Sequence, residues 1–378
     1  MGFRARVAIT AVFALNGTLF ASIFSRLPAI QDRTELSDGA LGLALLCSML
    51  GLVVSQFASG ALVARTGSRR LVVVGALGYA AGLIPVALSG SFAALAVSLA
   101  FIGVANGVLD VSMNIHGLTV ERRLGRPILS TLHAAFSFGA LAGAAVGALV
   151  AAAEVGVVGH LTGMAVLGAV AALTAGAFLL PSSADATPDG PLIARPTRAL
   201  LAIGIFAFCL LLAEGAVNDW AAIYLDDEIG TGEALAASGL AAFSLTMGFG
   251  RLFGDRLVQR LGPVPLARGG ATLSLAGMAV VLSTSSPLLA VPGFAAMGLG
   301  LAALFPLALR AAAARSPVAG PSVAAVSALG YLGLLTGPPV VGGLSEAVGL
   351  RAALVLVAAL LGVAALLAGS LRAPSGTA

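Results

Sequence analysis

Lysine is absent from this chain: all 20 basic residues are arginine. A Walker-type phosphate loop needs a lysine to reach the β- and γ-phosphates, so ATP hydrolysis through such a loop is excluded. The missing lysine reads first as genomic base composition. Charge of either sign is scarce, at 10% of 378 residues. A water-soluble protein cannot cover its surface with so few charges. The two cysteines, Cys47 and Cys209, both fall inside apolar runs, which argues against a disulfide framework. Neither a Gly-x-Ser-x-Gly elbow nor a His-Glu-x-x-His zinc motif is present. No enzyme activity, cofactor or metal is therefore expected. The net charge of +4 does not point to nucleic acid, because the arginines sit in short loops between apolar runs. The first apolar run, after Arg4 and Arg6, has no convincing cleavage site, so no cleavable signal peptide is expected.

What the chain has is apolar length. Hydrophobic residues make up 59%, glycine contributes 49 positions, and the mean hydropathy is +1.06. This is the composition of an integral membrane protein, with glycine where helices pack closely in lipid. A bilayer core takes about 20 apolar residues as helix. Twelve such runs lie roughly at 5–27, 39–63, 71–90, 92–115, 128–152, 160–180, 199–225, 235–258, 264–284, 287–310, 320–344 and 348–370. Only the Ser283–Pro287 turn separates the ninth from the tenth, so ten or eleven spans is the alternative count.

Loop charges set the orientation. Arg65, Arg69 and Arg70 follow the second span, Arg122, Arg123 and Arg126 the fourth, and Arg195 and Arg198 the sixth. Arg260 and Arg268 follow the eighth, Arg310 and Arg315 the tenth, and Arg372 the twelfth. The other side holds Arg26, Arg33, Arg351 and the acidic Asp226, Asp227, Glu228 and Glu233. The positive-inside rule then puts both termini in the cytoplasm.

The only long polar stretch, Pro181–Pro196, reads as a cytoplasmic linker. It divides the chain into an N-terminal six-helix bundle at 1–180, a linker at 181–198 and a C-terminal six-helix bundle at 199–378. The halves echo each other. Leu62, Val63, Arg65 and Gly67 match Leu257, Val258, Arg260 and Gly262 at one constant offset, and Gly103 matches Gly298. Asn16-Gly17 stands opposite Glu214-Gly215 at nearly the same offset. The fold class expected is all-α, with twelve transmembrane helices in two pseudo-symmetric bundles, the duplicated plan of transporters that rock two halves about a central site.

Twelve spans, the central linker and the loop Gly-x-Leu-x-x-Arg-x-Gly-x-Arg-Arg at 60–70 resemble the major facilitator superfamily over essentially the whole chain. That loop usually carries an acidic residue just before its first arginine; here Ala64 stands there, and Gln259 in the second half. The departure puts the family's usual charge relay in doubt. Arg251 and Asp255 are the expected substitute in the second half. The stretches 104–139 and 212–225 resemble bacterial members near the fucose-permease-like sugar:proton symporters.

Polar residues inside the spans mark the expected pathway, since they are expensive in lipid. Asn106, Asp110 and Asn114 recur every four residues on one stripe of span four. His133 and Ser137 share a face of span five. Reading a loop over Gly117–Pro127, Asp110 and His133 lie at a matched depth of roughly 10 Å on neighbouring helices. They are expected to approach each other and exchange a proton; the plainer reading is a structural hydrogen bond. Glu214, midway along span seven, is the third expected proton carrier. Asn16, Asn106, Asn114, Asn218, Asp219 and Trp220 are the candidate solute ligands. The plainer alternatives are interhelical glue for the amides and interface anchoring for Trp220. Gln56 is ambiguous. Arg65, Arg69, Arg251 and Asp255 are the candidate gate charges. Arg26 either snorkels outward or closes an outer gate against Asp226 or Asp227.

The expected function is a proton-coupled symporter for a small polar solute such as a sugar. A proton-antiport exporter of drugs or metabolites is the alternative, and a non-transporting scaffold or sensor the third. Partners expected are the small-molecule substrate, protons and the lipid bilayer, with no nucleic acid, and the chain is expected to be a monomer.

Overall fold

The computed structural model describes residues 2–187, 194, 197–231 and 233–372. Among them no strand occurs, and twelve helical segments are long and apolar enough to cross a membrane. The chain forms two compact units, Met1–Ala194 with Val318–Ala324, and Arg195–Pro317 with Ala325–Ala378.

The first unit contains α1 (Gly2–Phe24), α2 (Leu27–Thr34), α3 (Asp38–Thr66), α4 (Ser68–Leu88), α5 (Phe92–Leu124), α6 (Leu129–Ala152) and α7 (Val157–Phe178). Helix starts are written in the sequence. Ser37 caps α3 by accepting from the Ala40 amide, and Ser91 caps α5 by accepting from Ala94. The α3–α4 turn needs Gly67, whose φ is +79°. The short α2 breaks what reads in sequence as one run to residue 27, because Pro28 suits only the first turn of a helix.

The fourth span differs most from its expected bounds. Helix α5 runs 33 residues and stops at Gly125, φ +64°, so Gly117–Leu124 is helix and not loop. Glu121, Arg122 and Arg123 are good helix formers, and nothing before Gly125 halts them. Glu121 then caps the next helix: its Oε2 accepts from the Ile128 and Leu129 amides at 2.8 and 3.2 Å.

The second unit contains α8 (Arg198–Ile223), α9 (Glu233–Leu261), α10 (Pro263–Ser283), α11 (Pro287–Leu301), α12 (Leu304–Ala313), α13 (Ala319–Val348), α14 (Leu350–Ala353) and α15 (Val355–Leu367). One span is split into α11 and α12, and Pro306 explains the break: its ring excludes the carbonyl four residues back, at Ala302. The pause between α14 and α15 has no such cause in the sequence.

Glycine sets the helix spacing in both units, and it does so in register. A Cβ on Gly103 would collide with the Ser48 carbonyl oxygen, joining α5 to α3; one on Gly298 would collide with the Phe243 carbonyl, joining α11 to α9. The differences 298 − 103 and 243 − 48 are both 195. Gly139 against Ala14 (α6 on α1) recurs as Gly333 against Phe208 (α13 on α8), where 333 − 139 and 208 − 14 are both 194. Left-handed residues repeat too: Glu35 with Gly230, Gly67 with Gly262 and Glu154 with Gly349 are each 195 apart. The internal repeat is thus carried by backbone geometry. It also corrects one sequence pairing. At an offset of 194 on the first helix of each unit, Glu214 corresponds to Phe20 and not to Asn16. The short Asn-Gly and Glu-Gly echoes misled because glycine is frequent everywhere.

Gly103→Ala and Gly298→Ala are each expected to lower stability by about 1–3 kcal/mol through overpacking. Gly42, with open space around it, should gain about 0.5–1 kcal/mol from the same change. Thermal unfolding of the purified variants in detergent checks both signs.

Candidate functional site

In the first unit the polar stripe of α5 meets polar groups from α3 and α6. Asp110, 4% exposed, accepts from Gln56 Nε2 at 3.3 Å through Oδ2 and from Asn114 Nδ2 at 3.3 Å through Oδ1. Asn114 Nδ2 also donates to the Asp110 backbone carbonyl at 2.8 Å. The Asn114 Oδ1 lies 3.1 Å from His133 Nε2. Since the Asn114 amide nitrogen serves the carboxylate, its oxygen must accept, so His133 carries a proton on Nε2. Phe13 of α1 stands edge-on to the imidazole, centroids 5.3 Å apart. A hydrogen-bonded line therefore runs Gln56–Asp110–Asn114–His133 across three helices.

Asp110 and His133 share a partner, and that partner is Asn114. The reason is the length of α5. Because the helix continues to Leu124, Asp110 sits further from the α5–α6 turn than a loop at Gly117 implies. Asn114, one helical turn nearer the turn, is level with His133. A carboxamide does not pass a proton as an acid or base does, so this bridge orders the pair without linking them as a relay. Two other amides in the unit have unmet acceptors. Asn16 donates to Met113 Sδ at 3.8 Å while its Oδ1 has no donor, and Asn106 Oδ1 has none. Gln56 Oε1 is likewise unmet.

In the second unit Glu214 Oε1 of α8 lies 3.6 Å from Arg251 Nη2 of α9, with side chains 24% and 13% exposed. Asp255 Oδ1 lies 3.5 Å from Arg310 Nη2 of α12. Arg251 is thus drawn to a mid-helix carboxylate, ten residues short of the end of α9 (261 − 251), and is not a helix-end charge. Asn218 and Asp219 are exposed. Trp220 packs its ring beside Gly342, and its Nε1 has no acceptor. Arg65 is exposed and Arg69 half-buried beside the α3–α4 turn; no hydrogen bond or ion pair joins either to the clusters above.

A further buried cluster escaped the sequence reading. The Asp185 carboxylate accepts from the Ser68 amide at 3.0 Å, from the Ser68 hydroxyl, and from Thr119 Oγ1 at 3.3 Å. His116 Nδ1 is 2.7 Å from Ser68 Oγ, while its Nε2 accepts from the Leu180 amide at 3.2 Å. The Thr187 amide donates to the Ala64 carbonyl at 2.7 Å. The first residues of the expected linker are therefore stitched to the α3–α4 turn, and Asp185 caps α4 from 117 positions away. The rest of that linker, 188–193 and 195–196, lies outside the described residues. His116 at i+6 from Asp110 was the one available signal; Asp185, in a Pro-Ser-Asp stretch, reads as a solvated charge.

The family model of the Major Facilitator Superfamily matches residues 9–212 and 203–377. The chain belongs to that superfamily. An uncharacterized MFS-type transporter of Yersinia pestis is 32% identical over 348 residues, covering 91% of this chain and 90% of that protein. An uncharacterized transporter of Sinorhizobium fredii is 33% identical over 352 residues, covering 91% and 92%. The solved structure of the MFS transporter FucP in the outward conformation gives a TM-score of 0.81 at 16% identity, covering 97% of this chain and 98% of that one. At that identity the likeness speaks for the fold alone. This chain is a multi-pass MFS transporter with twelve spans.

Asn114→Leu is expected to lower stability by about 2–4 kcal/mol, since it leaves Asp110 short of a donor and His133 short of an acceptor in a buried site. Gln56→Leu should lower it by only about 1 kcal/mol, because its own oxygen is already unmet. Paired thermal denaturation curves should give that order.

Proposed function

We propose that this MFS transporter moves a small polar solute, a sugar or related metabolite, by proton coupling and alternating access. The observation that carries the reading is a carboxylate within a span of each unit: Asp110 held by amides, and Glu214 opposed to Arg251. Glu214 and Arg251 supply the coupling chemistry. Arginine keeps its proton at any physiological pH, whereas a carboxylate can lose its charge. A proton arriving on Glu214 dissolves the 3.6 Å pair, so proton occupancy becomes a change of contacts between α8 and α9. Asp110, bound by Gln56 and Asn114, is the second carboxylate that solute or proton can disturb, with His133 ordered beside it.

A polar solute is favoured over an apolar one by the unmet acceptors. Asn16 Oδ1, Gln56 Oε1 and Asn106 Oδ1 call for hydroxyl or amine donors. A proton-antiport exporter remains the second reading; the low aromatic content, 6%, speaks against the apolar cavity that such an activity uses. The location proposed is a bacterial inner membrane with both termini in the cytoplasm, on the strength of the arginine asymmetry.

Glu214→Gln is expected to keep solute exchange down a concentration gradient and to lose accumulation driven by a pH gradient, at least tenfold in proteoliposomes. Undiminished accumulation by the variant would reduce Glu214 to a structural role. For orientation, a cysteine at exposed Arg126 should react with an impermeant thiol reagent only from the cytoplasmic side, and one at exposed Glu154 only from outside. The reverse pattern inverts the topology.

A further inference from the structure

Arg26 lies between α1 and α2 and is 7% exposed. It does not snorkel. Its Nη2 donates to the Val155 carbonyl at 2.7 Å, while Nε and Nη1 have no acceptor. No carboxylate of the described residues forms an ion pair with it. A buried lysine or histidine in this position would shed its proton; a guanidinium does not, so its charge must be met by something else.

The same side chain lines a cavity of about 320 Å³ with Ser25, Pro28, Glu154, Val155 and Gly156. Gly156 is the N-cap of the 22-residue α7 and supplies no side-chain cap, so the first amides of α7 and their positive dipole end are left open here. His160, one turn into α7 and 5% exposed, also has both ring nitrogens unmet, and its Cε1 and Ser25 Oγ border the same notch at Gly147. Arg26 and the positive end of α7 therefore converge on the cavity, with one carboxylate, exposed Glu154, at the rim. Glu154 reaches that place through a left-handed residue, φ +55°. Along α6 the cavity is 18 residues from His133 (151 − 133), roughly 27 Å, so it is separate from the Asp110 cluster.

We propose that this cavity is a binding site for a small monovalent anion, of halide or short-carboxylate size, held by Arg26 and the N-terminus of α7. The anion neutralises Arg26 and fastens the α6–α7 turn to the end of α1. The site requires no solute and no proton gradient, so it stands or falls apart from the transport reading.

The test is thermal unfolding of the detergent-purified full chain at fixed ionic strength. Sodium gluconate, whose strongly hydrated polyol anion competes weakly for a guanidinium, is replaced stepwise by chloride, bromide, formate or acetate. The expected result is a saturable rise of about 2 °C with the small anions. Arg26→Gln should abolish the rise. Glu154→Gln alters only an exposed rim charge, so it should fold, and by removing a repelling carboxylate it should lower the half-saturating concentration several-fold. That variant keeps the proposal testable if Arg26→Gln does not fold. A flat response in both wild type and Glu154→Gln overturns the site. So does an equal rise in Arg26→Gln, or a Glu154→Gln response indistinguishable from wild type.

Discussion

The close approach of helix backbones at glycine is the constraint on which the rest depends. In lipid there is no hydrophobic gain in bringing two apolar helices together, so packing must come from contact itself. Here carbonyl oxygens of one helix lie where the Cβ of the next would be: Ser48 at Gly103, Ala14 at Gly139, Phe243 at Gly298, Phe208 at Gly333. These contacts fix the depth at which each helix presents its polar residues. Asn114 of α5 meets His133 of α6, and Arg251 of α9 meets Glu214 of α8, on helices whose other faces are held at such notches. A single added methyl group at such a notch moves a whole helix, and the polar partners with it.

Polar chemistry in the spans is consistent with that rigidity. In the first unit Asp110 is bound on both oxygens by amide donors, a neutral way of holding a charge. In the second unit the carboxylate at Glu214 is held by a cation. The position of Gln56 corresponds by the repeat to Arg251, since 251 − 56 is 195. The same place on the second long helix of each unit thus faces a carboxylate, once with an amide and once with a guanidinium. The two units use one scaffold for two electrostatic arrangements, a carboxylate held by amides and a carboxylate held by a cation.

Much of the fold was legible because the bilayer imposes a single length scale, and twelve runs of about that length stand out in the sequence. The family followed from the loop at 60–70 and the constant offset to 255–265. The polar residues were legible as well, because Asp110, Asn114, His133 and Glu214 are rare exceptions in an apolar chain. Their partners were less so. The expected matched depth of Asp110 and His133 rested on a loop beginning at Gly117; the helix ran on to Leu124, and Asn114 is a partner of both. Arg251 was read with its neighbour Asp255, and no sign in the sequence showed that Glu214 stands at Arg251 and Arg310 at Asp255. Asp185 was hidden because capping a helix from a distant loop leaves no periodicity behind. Arg26 was read as an outward-reaching or gating charge because nothing in the sequence tells which way a long side chain turns.

The left-handed turns record how the chain came to be. Glu35 and Glu154 hold a backbone conformation that L-residues seldom adopt, and at the equivalent places the second unit has Gly230 and Gly349. After an ancestral duplication, each copy was free to change side chains while the turns stayed put. A glutamate that replaces a glycine in such a turn brings a carboxylate to a fixed address with no insertion and no new helix. Glu154, set at the mouth of a cavity, is a divergence of side chain of that kind on a shared bend.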